Sequence, residues 1–289
     1  MKSGKFARIL VATDGSAPSQ AAVSVAANLA QASGASVKVV HVWNLEVHHR
    51  HGVWDLETRA EARRLIDSTV RRLRLAGVEA DGEILRGDNH HIAATVAEAA
   101  RRYDAELVVI GSRGLSDWQS LISARSVSHD LLTRVDCPIL IVRGPSSSAT
   151  HRAQRVLVAI AGDEIEASVE AAIAAASAPG SSVLVVHVPI SAVSTQGYSY
   201  VEPDEEMETT LTRATRLISE AGVPVQSLVT HDGPVAKTVI EEAARWGADI
   251  IVIGSSRMGD IGSILLGSVT HNLLRASERP ILVAERRVE

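Results

Sequence analysis

Short apolar runs alternate along the chain with longer segments in which apolar residues recur at helical spacing. Ala22, Val25, Ala26 and Leu29 fall at positions i, i+3, i+4 and i+7, which predicts an amphipathic helix. The alternation predicts an α/β fold, in which a parallel sheet is connected by right-handed helical crossovers. In the first half, the predicted strands are 7–13, 36–43, 79–86, 106–111 and 138–143, and two further predicted helices are 56–76 and 92–103.

The second half of the chain repeats the first. Five segments recur in the same order, at an offset that drifts from 147 to 142 residues. The repeat predicts two homologous domains, 1–146 and 152–289, with a linker near 144–149. The matched segments are Arg8–Gly15 with Arg155–Gly162, Val39–Val42 with Val185–Val188, Ala105–Ser112 with Ala248–Ser255, Ser126–Leu132 with Ser268–Leu274, and Pro138–Val142 with Pro280–Ala284.

Composition and charge exclude several classes of protein. Of the 289 residues, 46% are apolar but only 3% are aromatic, so the cores must be aliphatic. The single cysteine, Cys137, excludes an intrachain disulfide and a cysteine-rich zinc site. The first 150 residues carry 18 Lys and Arg against 16 Asp and Glu, and the rest carry 11 against 18. Neither half has the basic excess of a nucleic-acid-binding protein, and no apolar run predicts a signal peptide or membrane span. We therefore expect a cytoplasmic protein without nucleic-acid or membrane partners.

Two loops of the first half carry candidate ligand-binding residues. In doubly wound sheets, ligands bind beyond the carboxyl ends of the strands. The loop after the first strand is Thr13-Asp14-Gly15-Ser16, and the loop after the fourth begins Gly111-Ser112-Arg113-Gly114, ahead of a helix predicted to start near Ser126. Glycine amides, hydroxyl groups and a helix N-terminus are all suited to binding an anion such as phosphate.

Both halves resemble the universal stress protein family, and the whole chain resembles its tandem members. The residues that carry the resemblance are Val11–Ser16, the Val-His-Val of the second strand, Val109–Gly114, Gly267–His271 and Cys137–Val142. The resemblance implies two Rossmann-like domains of the adenine nucleotide alpha hydrolase-like type. Each would have a five-stranded parallel sheet flanked by helices, and the two would pair by pseudo-twofold symmetry through their last strands. It also implies binding of ATP, with or without Mg²⁺.

The family motif assigns candidate roles to particular residues. Asp14 would contact ribose or a metal ion, Gly111 and Gly114 would surround the phosphates, and Ser126 would donate to them. The first-domain candidates are Thr13, Asp14, Gly15, Ser16, Val42, Gly111, Ser112, Arg113, Gly114, Arg125, Ser126, Val127 and Ser128. The second-domain candidates are Gly254, Ser255, Arg257, Gly267, Ser268, Val269 and Thr270.

Both halves depart from the family motif. In the first, Arg125 stands where the third glycine belongs, and the spacing to Ser126 is one residue too long. In the second, Arg257 replaces the second glycine and Ala161 replaces the acidic residue. An arginine Cβ fills space that glycine leaves open, although a guanidinium group is itself a good phosphate donor. We therefore expect nucleotide binding in the first domain rather than the second.

The expected function is a stress-response regulator that responds to an adenine nucleotide, with slow ATP hydrolysis at most. Its expected partners are an unidentified regulatory protein and, beyond the pseudo-dimer within the chain, a second copy in a homodimer. One alternative is a scaffold or interaction protein with degenerate sites. Another is a weak ATPase, or a metal-binding protein that uses the histidines after the second and third strands, which are His48, His49, His51, His90 and His91.

Overall fold

The computed structural model divides the chain into two compact units, residues 6–150 and residues 151–289 together with 1–5. The domain bounds drawn from the repeat, 1–146 and 152–289, stay a prediction. The structure describes residues 4–44, 46–48, 52–54, 57–87, 91–112, 127–143, 153–162, 164–187, 189, 191–194, 197–200, 204–230, 234–254 and 268–284.

The first unit contains a five-stranded parallel sheet in the order β7-β6-β1-β2-β5. The strands are β1 (Arg8–Ala12), β2 (Ser36–Asn44), β3 (Glu46–His48), β4 (Gly52–Trp54), β5 (Ala80–Gly87), β6 (Leu107–Ser112) and β7 (Ile139–Arg143). The five predicted sheet strands agree with this structure to within one residue at either end. Their continuous apolar runs are buried on both faces, as in Leu107–Ile110.

Four helices of the first unit connect these strands within the described ranges: α1 (Ala17–Ser33), α2 (Arg59–Leu75), α3 (Ile92–Tyr103) and α4 (Val127–Leu132). Helix α2 begins three residues later than the predicted 56–76, because Thr58 is extended and caps the helix. Its hydroxyl accepts from the Glu61 amide, while the Glu61 carboxylate accepts from the Thr58 amide. Donation from the Thr58 amide, and then from its hydroxyl, lowers the pKa of Glu61.

The second unit repeats this topology, with parallel strands in the order β12-β9-β8-β13-β14. This confirms the α/β fold class in both halves. Its elements are β8 (Arg155–Ile160), α5 (Glu166–Ala175), β9 (Ser182–His187), β10 (Ser191–Ser194), β11 (Gly197–Tyr200), α6 (Asp204–Glu220), β12 (Val225–Val229), α7 (Val235–Trp246), β13 (Ile250–Gly254), α8 (Ser268–Ala276) and β14 (Ile281–Ala284). Across the described ranges, no helix combines the length and apolar character needed to cross a bilayer.

Each unit also contains a short antiparallel hairpin after its second sheet strand, β3 with β4 and β10 with β11. The sequence pattern did not predict these hairpins. Their strands are only three or four residues long and contain no continuous apolar run that would distinguish them from a loop. His48, predicted to lie in a loop, is the last residue of β3.

Helix α1 approaches the end of β6 so closely that only glycine fits between them. A Cβ on Gly111 would lie 2.5 Å from the carbonyl carbon of Pro18 and 2.5 Å from the amide nitrogen of Ser19, both of which are backbone atoms. The equivalent glycine of the second unit, Gly254, is less crowded, because the nearest atom to its Cβ would be Ser168 Oγ at 3.0 Å. Gly111 therefore has a packing role, whatever its role toward a ligand.

Replacing Gly111 with alanine is expected to lower the free energy of unfolding by roughly 1–3 kcal/mol, since helix α1 must move away from β6. Gly254→Ala is the matched control and should cost less, because a serine side chain can rotate where a backbone cannot. Urea unfolding monitored by circular dichroism would measure both. Equal losses of stability in the two variants would contradict the proposed difference in packing.

Candidate functional site

The carboxyl ends of β1 and β6 form the switch point of the first sheet. The chain leaves β1 toward β2 on one side and leaves β6 toward β7 on the other, which opens a crevice between the two strand ends. Ala12 pairs with Ile110, which is the last pair between these two strands, so Thr13 and Gly111 follow at the same edge of the sheet. The structure thus brings together the described parts of the two loops that the sequence singled out.

The β1 loop is held in one conformation by its own side chains. The Gly15 amide donates to Thr13 Oγ1 at 3.2 Å, and the Ser16 amide donates to Asp14 Oδ1 at 3.0 Å. The Ser16 hydroxyl donates to the same carboxylate oxygen at 2.5 Å and caps helix α1. Gly15 lies at φ +79°, in the left-handed region that favours glycine. The loop is therefore preorganised, with its polar groups at the sheet edge.

A buried histidine on β2 forms a hydrogen bond with the backbone of this loop. His41 Nδ1 lies 2.8 Å from the Thr13 carbonyl oxygen, to which it must donate, and His41 Nε2 lies 2.6 Å from Glu57 Oε2. The Trp43 indole donates to the Glu57 carbonyl and fixes the segment that leads into α2. Sequence reasoning missed the link between His41 and Glu57, because tertiary folding brings together residues with no local pattern in common. His41 and Glu57 thus act as positioning residues for the Thr13 loop.

Ser112 is the one candidate whose described surroundings point directly to a ligand. The residue is only 2% exposed, and its hydroxyl has no hydrogen-bond partner within the described ranges. Side chains alternate along a strand, so Ser112 faces away from α1, toward which a Cβ on Gly111 would point. A buried hydroxyl without a partner is costly and rare. A ligand oxygen at this edge would satisfy it.

The remaining predicted residues divide into described and undescribed ones. Val42 lies near the end of β2, half-buried, and Val127 and Ser128 begin helix α4, the first exposed and the second buried. In the second unit, Val269 is half-buried and Thr270 buried at the start of α8. Outside the described residues lie Arg113, Gly114, Arg125, Ser126, Ser255, Arg257, Gly267 and the side chain of Ser268.

The equivalent loop of the second unit carries different chemistry. Ile160 and Ala161 occupy the positions of Thr13 and Asp14, so a hydroxyl and a carboxylate are replaced by apolar groups. Helix α5 begins after Ile165, which provides no side-chain cap, whereas Ser16 caps α1. The arrangement of polar groups in the first loop is therefore not repeated in the second.

The histidine hypothesis falls mostly outside the described residues. His91 is exposed at the start of α3, whereas His49, His51, His90 and the side chain of His48 are not described. Within the described part of the chain, no group of three or more His, Cys, Asp or Glu side chains is arranged to hold a metal ion. The metal hypothesis stays a prediction from sequence.

The fold and sequence both match known proteins over nearly the full chain. The family model described as "Universal stress protein family" matches residues 5–143 and 152–285. A universal stress protein of Mycobacterium tuberculosis is 28% identical over 293 residues, covering 96% of this chain and 97% of that protein. A second universal stress protein of the same species is 28% identical over 299 residues, covering 96% and 95%.

Solved structures show the same fold. The crystal structure of a universal stress protein from Archaeoglobus fulgidus superposes with a TM-score of 0.71 at 20% identity, covering 96% of both chains. One from Pseudomonas aeruginosa superposes with a TM-score of 0.63 at 17% identity, covering 99% of this chain and 95% of that one. The two family-model matches confirm the resemblance seen in the sequence: the chain belongs to the universal stress protein family, as a tandem member with two copies of its domain.

Proposed function

We propose that this chain binds an adenine nucleotide such as ATP at the carboxyl edge of its first sheet and acts as a stress-response regulator. The observation that carries the proposal is the buried hydroxyl of Ser112, which has no hydrogen-bond partner among the described residues. It ends the strand beside the Thr13–Ser16 loop, at the switch point where doubly wound sheets bind ligands. A phosphate oxygen is an acceptor suited to this donor.

The chemistry of the first loop supports an adenine nucleotide with Mg²⁺. When bound, ATP would supply a polyanionic phosphate chain, which a metal ion partly neutralises. Asp14 provides a carboxylate in the loop that follows β1, at the same edge of the sheet as Ser112, and oxygen ligands of this kind suit Mg²⁺. The glycine at position 15 allows the backbone to turn sharply there. The residues present therefore fit the ligand that the family resemblance implies.

The comparison between the two units supports a single site rather than two. The second unit has Ile160 and Ala161 in place of the threonine and the aspartate. This loss favours a different use for the second unit, as an interaction surface within the same regulator. A scaffold function for the whole chain is the second candidate, and the altered loop of the second unit is the observation that favours it.

The first loop is better suited to binding than to turnover. The Ser16 hydroxyl donates to Asp14 and accepts from the Ser19 amide, so it serves the turn and the helix cap. Nucleotide binding would regulate a partner by favouring one state of the protein, which requires different affinities for the two states. We therefore propose a nucleotide-responsive regulator with slow hydrolysis at most.

Ser112→Ala tests the proposed donor. Loss of a hydrogen bond to a charged group costs about 1.5–3 kcal/mol, so ATP affinity should fall by roughly tenfold or more. Because the deleted hydroxyl has no described partner, the melting temperature should stay the same or rise. Ser255→Ala, at the equivalent position of the second half, should leave affinity unchanged. Calorimetric titration with ATP and Mg²⁺ measures the ATP affinity of the wild type and of both variants. Unchanged affinity in Ser112→Ala would refute the role of the Ser112 hydroxyl as a donor to the ligand.

Asp14→Asn separates the structural role of Asp14 from its proposed role toward Mg²⁺. Asparagine keeps the oxygen that accepts from the Ser16 amide, so the melting temperature should change little. It removes the negative charge, so the dependence of ATP binding on Mg²⁺ should be lost or much reduced. Titrations with Mg²⁺ and with EDTA measure this dependence. A variant that keeps the full Mg²⁺ dependence would place the metal elsewhere.

A further inference from the structure

Helices α2 and α6 occupy equivalent places in the two units and share their buried sides. Both are 17 residues long. Ala62 and Leu73 are buried on α2, and Met207 and Ile218 are buried at the equivalent positions of α6. The fold therefore places similar constraints on the inner side of each helix and leaves the outer side free to differ.

The outer sides differ in the sign of their charge. Helix α2 carries six arginines against two acidic residues, a net charge of +4, whereas α6 carries five acidic residues against two arginines, a net charge of −3. Arg63 stands where the second repeat has Glu208, and both side chains are exposed. The two equivalent helices are therefore buried at equivalent positions but carry net charges of opposite sign.

The last turn of α2 combines positive charge with an exposed apolar side chain. We call Arg71, Arg72, Arg74 and Leu75 the arginine end. Leu75 is 80% exposed, which is unusual for a large apolar residue in the described part of the chain. Arg71 and Arg72 are exposed and form no ion pair with other described residues. Arg74 Nε donates to the Ala80 carbonyl at 2.9 Å, which orients its side chain.

The second repeat does not keep this surface. The positions equivalent to the arginine end hold Arg216, Leu217, Ser219 and Glu220. Arg216 is held near Glu220, at 3.8 Å, within its own helix. The family fold therefore does not require the arginine end, and arginine is enriched at protein interfaces.

The first two turns of α6 carry the complementary charge. We call Glu205, Glu206 and Glu208 the acidic end, and all three side chains are exposed. Within the described ranges they form no ion pair, in contrast to Glu166, which pairs with Arg213. The acidic end thus keeps its charge available to a partner.

We propose that the arginine end of one copy docks against the acidic end of a second copy of this chain. Because the two ends are different patches, the contact forms either twice in a closed twofold pair or once between successive copies. Exposed ion pairs are individually weak and screened by salt, so the association is reversible and depends on ionic strength, with Leu75 supplying the apolar centre. This interface is independent of nucleotide binding.

Sedimentation velocity of paired charge-reversal variants tests the proposal. Arg71→Glu with Arg72→Glu gives one variant, and Glu205→Lys with Glu208→Lys gives the other. The wild type should associate as concentration rises at ionic strength near 0.01 M, where the Debye length is ~30 Å, and separate near 1 M, where it is ~3 Å. Each variant alone should lose this association. An equal mixture should regain it, because each reversed end then meets an end of opposite charge.

A matched control separates local docking from net charge. Arg63→Glu with Arg64→Glu makes the same charge change at the other end of α2 and should retain association. Circular dichroism would establish that every variant is folded. The proposal is overturned if the wild type does not associate at low ionic strength, if the control is as impaired as the arginine-end variant, or if the mixture fails to associate. Binding of heparin by the arginine end without self-association would also overturn it, in favour of another anionic partner.

Discussion

The close contact between the start of helix α1 and the end of β6 is the constraint on which the candidate site depends. The Pro18–Ser19 backbone lies so close to β6 that there is no room for a side chain at position 111. This contact limits how the start of α1, which follows the Thr13–Ser16 loop, packs against β6. It also directs Ser112 to the opposite face, because neighbouring side chains alternate along a strand. A glycine that the family motif assigns to phosphate is thus required first by packing.

The polar groups at the carboxyl edge of the first sheet fall into two classes. His41, Asp14 and Ser16 are engaged with protein groups and hold the loop in place. Ser112 is buried and makes no such bond within the described ranges. The first class provides a rigid frame at low cost to ligand binding, because the loop is ordered beforehand. The second provides a donor whose burial is favourable only when an acceptor arrives.

The pattern of apolar residues was sufficient to predict the strands that are buried in the core. The five strands of the first sheet follow continuous apolar runs, which have few other uses in a folded protein. The start of α2 was placed three residues early, because hydrophobic spacing does not register the cap formed by Thr58. The β3–β4 and β10–β11 hairpins were missed because strands of three or four residues carry no such run. The support of Thr13 by His41, and the crowding at Gly111, arise between distant elements, so no local pattern could predict them.

We propose that one of the two homologous units keeps a nucleotide site. Calorimetric titration of the full chain with ATP and Mg²⁺ tests it most directly, because it yields the number of sites per chain. We expect one site, in the unit that retains Thr13, Asp14 and Ser112. Two equivalent sites would contradict the asymmetry between the units, and no binding at millimolar ATP would contradict nucleotide binding itself.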